Sequence, residues 1–305
     1  MLPRARCTRR VAGRKDDKAP GCRARMEVHM PIVAVTREMG SFGTEIAERA
    51  AAAIGIPLMH HAVIDGVAAR WGVDRKLLLD LDFFRPPRVK HVRTQATYIA
   101  AQIGAEILGL AAKAEGAVFR GWGAAQLLFM VPHAVCVRIG APFKVRLARL
   151  RERTRLGAAD ATRMLEDNDS TRAQLVRHHY RSDWRNYEGY DLVINTGRTS
   201  VDDAVSQILS LVRSPTFRET PKSSRVLANL RLEALARASL YANPATRQVR
   251  ISIRADGTEL HIGGIVDDGN QRDEVISTLG CIGTVVSVIS RLRAPTDYRC
   301  RTSSI

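Results

Sequence analysis

The sequence predicts an α/β protein in which a parallel β-sheet carries helices on both faces and a small α+β unit follows. Three observations lead to this prediction. Short apolar runs typical of buried strands alternate with segments of helical periodicity over residues 30–213. A stretch rich in Pro, Ser and Thr then predicts a linker at 214–224. Residues 225–293 show the order α-β-β-α-β.

In the first domain, each strand is a short apolar run and each helix shows a spacing of three to four residues. Strands are predicted at 30–36, 133–142 and 190–197, a strand with a following loop at 117–123, and a strand or connection at 56–61. Helices are predicted at 46–55, 62–72, 94–116, 143–157, 158–184 and 200–213, the last with Ser200 as N-cap. Residues 73–93 are charged and contain two adjacent prolines, which predicts a mobile insertion.

The second unit begins with an amphipathic helix predicted over 225–242. Alternating apolar and polar residues predict strands at 248–255 and 258–266, joined by a hairpin turn at Asp256-Gly257. A short helix at 267–280 and a strand at 283–293 complete the order. Residues 294–305 are predicted to be a flexible tail.

Length and charge limit the classes of function. The 305 residues suffice for two domains. No apolar run approaches the ~18 residues of a transmembrane helix, and no secretory signal is recognisable, so a cytoplasmic location is expected. The five cysteines form no CxxC pair typical of zinc sites.

The net charge of +16 is concentrated in two places. Residues 1–30 hold nine basic and three acidic residues, and residues 1–29 are predicted to be a disordered arm or to precede a true start at Met30. Residues 144–185 hold eleven basic and six acidic residues. An arm of this kind allows nucleic-acid binding, but no base-reading motif accompanies it, so nucleic acid is an unlikely partner.

The strand–loop–helix segment 33–57 is the most informative part of the sequence. Its loop residues are Gly40, Ser41, Phe42, Gly43 and Thr44. A glycine-rich loop that opens a helix directs backbone N–H groups and the positive end of the helix dipole at an anion, and the Thr44 hydroxyl is a candidate Mg²⁺ ligand. The lysine of a Walker A loop is absent because Gly43 occupies its place. A simple glycine turn therefore remains an alternative.

Arg37, at the end of the strand before the loop, is predicted to replace the missing lysine at the phosphates. The alternative is an ion pair with Glu38 or another neighbour. Thr36, Arg37, Glu38, Gly40, Ser41 and Gly43 follow the pattern S-R-E-x-G-S-G-G found in the cytidylate kinase-like family of P-loop proteins.

Three further segments occur in that family's order: AVFRGWGAAQLL (117–128), MLEDNDSTRAQLVRHHYRSDW (164–184) and YDLVINTG (190–197). Residues 30–213 thus resemble a cytidylate kinase-like P-loop domain. Three residues depart from the family pattern: Phe42 for a small residue, His60 for an acid and Trp122 for an arginine.

The resemblance implies a nucleotide-binding phosphotransferase that uses ATP and Mg²⁺ and acts on a nucleoside monophosphate or another small phosphorylated substrate. It implies that Arg149, Arg153 and Arg172 bind phosphate. Asp169 lies three residues before Arg172 and is expected to orient it. The departures leave open a catalytically weak nucleotide sensor.

Residues 225–293 resemble a BON domain in their strands and turns, on the matches Ile251, Ile253, Asp256-Gly257, Leu260, Val266 and Gly283-x-Val285. The resemblance implies a small non-catalytic module with a lipid or protein ligand. A net charge of only +2 over 223–293 gives no strong attraction to anionic lipid. A regulatory or dimerising appendage is the alternative.

Overall fold

The computed structural model describes residues 31–82, 90–113 and 115–295. The predicted arm at 1–29 and nearly all of the predicted tail at 294–305 lie outside these residues. Among the helices of this part of the chain, none is long and apolar enough to cross a membrane.

A five-stranded parallel sheet forms the centre of the first domain. Its strands are β1 (Ile32–Arg37), β2 (Leu58–Met59), β3 (Ala117–Arg120), β4 (Ala134–Gly140) and β5 (Leu192–Asn195). They lie in the order β2-β3-β1-β4-β5. The sequence left 56–61 open between strand and connection, and the structure resolves it as the short edge strand β2.

Eight helices cover the sheet in the described part of this domain: α1 (Gly43–Ile54), α2 (His61–Trp71), α3 (Arg75–Asp82), α4 (Lys90–Ala111), α5 (Ala124–Leu128), α6 (Phe143–Thr154), α7 (Ala158–Tyr180) and α8 (Val201–Val212). One apolar core contains Val63, Ile107 and Phe119, and another contains Val33, Ile46 and Ile208. Alternate residues of β1 contribute to each core, so both faces of the sheet are covered and the predicted α/β class is confirmed.

Residues 73–93, predicted to be a mobile insertion, contain helical structure in their described part. Helix α3 occupies 75–82, and α4 begins at Lys90. Leu78 is fully buried in the same core as Val63, and Leu77 packs against that core. The burial of these leucines stabilises this short helix.

The C-terminal unit has the predicted order α-β-β-α-β. Its elements are α9 (Pro221–Ala242), β6 (Ile251–Asp256), β7 (Glu259–Ile265), α10 (Gly269–Gly280) and β8 (Ser287–Arg293). Strand β7 pairs antiparallel with β6 and parallel with β8. A separate core that includes Leu240, Leu260 and Leu279 lies between the sheet and the two helices.

The predicted linker at 214–224 is wrong for its last four residues. Helix α9 starts at Pro221 because Thr220 and Ser223 form a reciprocal capping box, with the Ser223 N–H donating to Thr220 Oγ1 at 3.1 Å. Proline is favourable at this first helical position. Farther along, Leu227 joins the core of the first domain, so α9 packs against both units.

Candidate functional site

The loop between β1 and α1 is shaped by close contact with α6. Gly40 has φ +79°, and a Cβ atom there would lie 2.8 Å from the backbone oxygen of Arg146. Phe42 also has a positive φ, +59°, and its ring is 43% exposed. The Arg149 guanidinium lies 4.0 Å from the centre of this ring, a cation–π contact. Gly40 thus brings the loop onto α6, and Phe42 faces outward.

Arg37 occupies the space that a lysine at position 43 would need. A Cβ atom on Gly43 would lie 2.5 Å from Cβ of Arg37. Arg37 Nε donates to Thr44 Oγ1 at 3.1 Å, and Arg120 Nη1 donates to the same oxygen at 3.3 Å. Two positive charges therefore lie at the start of α1, where the first N–H groups have no acceptor within the helix.

We expect Gly43→Lys, which places a lysine before Thr44 as in a Walker A loop, to weaken nucleotide binding instead of strengthening it. The new side chain overlaps Arg37, and such overpacking costs about 1–3 kcal/mol. The double variant Arg37→Gly/Gly43→Lys removes the overlapping Cβ atom and is expected to bind more tightly than Gly43→Lys alone. Nucleotide affinities measured by calorimetry check this order, and tighter binding by the single variant would contradict it.

Glu38 fixes the base of the loop. Its carboxylate accepts from Arg138 Nη2 at 2.8 Å and from the Ala141 N–H at 3.1 Å, and Arg146 Nε lies 3.3 Å from it. A Cβ on Gly140 would come within 2.9 Å of this carboxylate. Glu38 therefore pairs with Arg138 and Arg146.

Asp169 orients Arg146 and not Arg172, contrary to the sequence prediction. Its two carboxylate oxygens accept from Arg146 Nη2 at 2.8 Å and Nη1 at 3.2 Å. Arg172 instead donates to the backbone oxygen of Arg37, and its guanidinium lies 5.4 Å from the Trp184 ring centre. Helix α6 packs on α7 and brings the buried Arg146 within hydrogen-bond distance of Asp169. Spacing along α7 alone had indicated Arg172 as the partner.

Ser41 and Arg149 hold the loop in place through their side chains. The buried Ser41 hydroxyl lies 2.8 Å from the backbone oxygen of Glu38 and 3.1 Å from that of Ile139. Arg149 donates to the backbone oxygen of Thr196 at 2.7 Å and to Thr196 Oγ1 at 3.0 Å. Burial lowers the pKa of Arg149.

Thr196 was missed by sequence reasoning, although it lies within the YDLVINTG segment. Its hydroxyl donates to the backbone oxygen of Ser41 at 2.9 Å. This bond ties the end of β5 to the loop and explains why a polar residue follows the strand.

A cavity of about 640 Å³, here the loop cavity, lies over the loop. Its volume lies in the range of small-molecule sites. The predicted site residues that line it are Arg37, Gly40, Ser41, Phe42, Thr44, Arg149, Arg153 and Arg172. Arg153 is exposed, and Gly43 and Asp169 are not among the lining residues.

A smaller cavity of about 90 Å³, here the inner cavity, lies on the other side of Arg37 and Arg172, which line both cavities. Most of its wall is apolar, with Ile99 and Ile103 from α4 and Trp122 after β3. The buried indole N–H of Trp122 has no hydrogen-bond acceptor among the described residues. Trp122, noted in the sequence only as a departure, is thus a lining residue of the site.

The end of α7 adds two neutral polar groups to the inner cavity. Burial, aided by the neighbouring His178, lowers the pKa of His179 to about 4. Burial raises the pKa of Tyr180, whose hydroxyl donates to the backbone oxygen of Trp122 at 3.0 Å. At neutral pH the positive charge in this cavity therefore comes from Arg37 and Arg172.

The depressed pKa of His179 predicts a loss of stability in mild acid. Because the unfolded histidine binds its proton near pH 6.5 and the folded one near pH 4, the free energy of unfolding falls as the pH drops between these values. We expect His179→Gln to make the fall in unfolding free energy with decreasing pH shallower, with a slope that corresponds to up to one proton less per chain. Urea unfolding from pH 7 to pH 4 checks this, and the same slope in the variant and the unmodified protein would contradict it.

The residues present fit phosphate better than they fit a metal ion at Thr44. Glycines, the start of α1 and several arginines form a cradle for anionic oxygens. The Thr44 hydroxyl, by contrast, lies between two guanidinium groups, an unfavourable place for a divalent cation. Among the described residues, no cluster of three His, Cys, Asp or Glu side chains is arranged to hold a metal. The Mg²⁺ ligand role of Thr44 stays a prediction that requires both arginines to release the hydroxyl.

The fold and the site together define a kinase-like α/β domain whose glycine-rich loop has no Walker A lysine. The profile of the Cytidylate kinase-like family matches residues 32–198, more than half of the chain, and the chain belongs to that family. No curated protein matches the sequence.

Similar solved structures each cover about 60% of the chain. An uncharacterized protein from Eubacterium ventriosum is 24% identical, with 61% of this chain and 99% of that chain covered and a TM-score of 0.48. A shikimate kinase from Bacteroides thetaiotaomicron is 14% identical over 61% and 99% of the two chains, with a TM-score of 0.39. A shikimate kinase from Acinetobacter baumannii in complex with shikimate is 16% identical over 60% and 93%, with a TM-score of 0.36.

Proposed function

We propose that this protein transfers the γ-phosphoryl group of ATP to a small acceptor such as a nucleoside monophosphate. The observation that carries the proposal is that Arg37 and Arg172 line both the loop cavity and the inner cavity. A phosphoryl group passing between the cavities stays beside both positive charges. Membership of the cytidylate kinase-like family supports the same reaction class.

In the proposed reaction, an acceptor oxygen in the inner cavity forms a bond to the γ-phosphorus while the bond from phosphorus to the β,γ-bridging oxygen breaks. The products are ADP and the phosphorylated acceptor; an ionised phosphate oxygen of a nucleoside monophosphate has no proton to lose, whereas an alcohol acceptor releases one proton to water. Phosphoryl transfer needs positioning and charge neutralisation more than covalent help from the protein. The loop N–H groups hold the donor phosphates, Arg37 and Arg172 stabilise the transferring group, and Arg153 closes from the rim.

The substrate that receives the phosphoryl group in this proposal has an apolar or aromatic body. One of its atoms accepts a hydrogen bond from the Trp122 indole N–H. Trp122 stands where the family has arginine, so its N–H replaces an ionic contact by a neutral hydrogen bond. The inner cavity of about 90 Å³ is too small for a nucleoside monophosphate, so α4 and α7 must separate when one binds. A changed acceptor relative to the family is the consequence we favour.

The test is ATP turnover with a panel of nucleoside monophosphates and small alcohols, with and without Mg²⁺. Formation of ADP together with a phosphorylated acceptor supports the proposal. ADP formation that is equal with and without every acceptor would contradict transfer. A fall of turnover in Trp122→Phe, which keeps the ring and removes the N–H, assigns the indole to the acceptor.

A second candidate function is a nucleotide sensor without turnover. The specific observation in its favour is the Thr44 hydroxyl held between Arg37 and Arg120, which leaves the usual metal-ligand position occupied by positive charge. Tight ATP binding with no product for any acceptor, at any Mg²⁺ concentration, favours the sensor over the kinase.

For the C-terminal unit we propose a BON-type module with a binding or regulatory role. The support is the order α-β-β-α-β and the mixed sheet of β6, β7 and β8. The family match ends at residue 198, so it leaves this unit outside. We also propose a first domain over residues 30–213, a C-terminal unit that begins with α9 at Pro221, and a cytoplasmic location.

A further inference from the structure

A second large cavity lies where the two units meet, and we name it the interdomain cleft. Its volume is about 900 Å³. Its walls come from α4 and the end of α7 in the first domain and from α9 and β6 in the C-terminal unit. Cavities of this size between domains are common binding places for small molecules.

The cleft carries an excess of positive charge. Four arginines line it, Arg181, Arg237, Arg250 and Arg254, against the single carboxylate of Glu233. Two of these arginines are committed to the protein, because Arg237 donates to the backbone oxygen of Ile251 at 2.7 Å and Arg254 lies 3.4 Å from Glu233.

The other two arginines are available to a ligand. Arg181, at the end of α7, and Arg250, just before β6, are exposed, and neither side chain makes a hydrogen bond or ion pair with the described residues. They belong to different units, so both reach one ligand only in the cleft. Guanidinium groups favour phosphate and carboxylate, which they bind with two parallel hydrogen bonds.

The floor of the cleft is apolar and built from small or aliphatic residues. Ala101 and Gly104 of α4 face Leu230 and Ala234 of α9, and the Tyr241 ring adds an aromatic edge. A free inorganic anion leaves this floor uncovered, whereas a molecule with a flat apolar part covers it.

We propose that the interdomain cleft binds a small phosphorylated compound with an aromatic body, of the nucleotide class. Its phosphate lies between Arg181 and Arg250, and its ring lies on the floor between α4 and α9. This site is separate from the loop cavity, and its occupation does not depend on whether the first domain catalyses transfer.

The cleft and the inner cavity share part of their walls. Ala100, His179 and Tyr180 line both. Arg172, two helical turns before Tyr180, lies on the same helix α7. A ligand in the cleft thus contacts the end of α7 that also lines the inner cavity. By linkage, a ligand bound at either site changes the ligand affinity of the other site.

Photolabelling with 8-azido-ATP, followed by peptide mapping of the full chain, tests the proposal. We expect labelled peptides within residues 225–254 in addition to any label on the loop at 38–49. Arg181→Gln/Arg250→Gln is expected to reduce label within 225–254 about tenfold or more, because two ionic hydrogen bonds are lost. The loop label is expected to persist in this variant.

The matched control is Arg213→Gln/Arg218→Gln, which removes two exposed arginines outside the cleft and is expected to leave both labels unchanged. Absence of label from 225–254, or equal label there in the cleft and control variants, would overturn the proposal. A label displaced fully by inorganic pyrophosphate alone would also overturn it, since the aromatic body would then contribute nothing.

Discussion

Replacing Arg37 by methionine is expected to lower kcat/KM by about a hundredfold or more, since removal of one preorganised donor to a transition-state charge has effects of that size. Arg37 adjoins both cavities and is hydrogen-bonded to Thr44 at the start of α1. Methionine keeps much of the apolar stem, so the change removes mainly the charge. Nucleotide affinity is expected to fall as well. Calorimetry and a coupled ADP assay measure the two effects separately.

The controls separate a local effect from loss of general positive charge. Arg37→Lys keeps a point charge without the planar fork and is expected to recover part of the activity. Arg151→Met, on an exposed residue of α6 outside the loop cavity, is expected to keep the activity of the unmodified protein. Unchanged nucleotide affinity in Arg37→Met would show that Arg37 does not bind the nucleotide phosphates.

Asp169→Ala is expected to lower the free energy of unfolding by about 2 kcal/mol, because it leaves the buried Arg146 guanidinium without its two-point partner. The side chains of Arg146 and Asp169 are 6% and 14% exposed, so solvent replaces the lost bonds poorly. Arg146 keeps its contact with Glu38 at 3.3 Å, which limits the loss. Urea unfolding at neutral pH measures the change.

Asp167→Ala is the matched control, because Asp167 lies on the same helix but is exposed. It is expected to change stability by no more than about 0.5 kcal/mol, the usual range for surface substitutions. Asp169→Ala should also weaken nucleotide binding, since Arg146 contacts the loop at Met39 and packs beneath Gly40. Equal stability of the two alanine variants would refute the structural role of Asp169.

The site was predictable where a local pattern sets the backbone. The glycine loop, its position between strand and helix, and the place of Arg37 before it follow from adjacent residues, and the structure has each of them. Ser200 was predicted as the N-cap of α8, and its hydroxyl accepts from the Asp203 N–H as expected. Helix α3, within the predicted insertion at 73–93, was not foreseen because it depends on the burial of Leu78 against distant residues.

Contacts between distant segments were not predictable. Asp169 was assigned to Arg172 because they lie one helical turn apart, yet its partner Arg146 comes from another helix. Thr196 reaches the loop from the end of β5, more than 150 residues after Ser41. Residue spacing within one helix or strand cannot predict these pairs, because they form only once α6, α7 and β5 have packed around the loop.

The sequence by itself determined the alternation of strands and helices, the glycine-rich loop and the family, because apolar periodicity and glycine positions act over a few residues. Only the tertiary structure decided that Arg37 takes the space of the missing lysine, that Arg37 and Arg172 stand between two cavities, and that α9 joins the two units over a basic cleft. The physical reason is that these features are distances between segments, fixed by side-chain packing and by the pairing of buried charges.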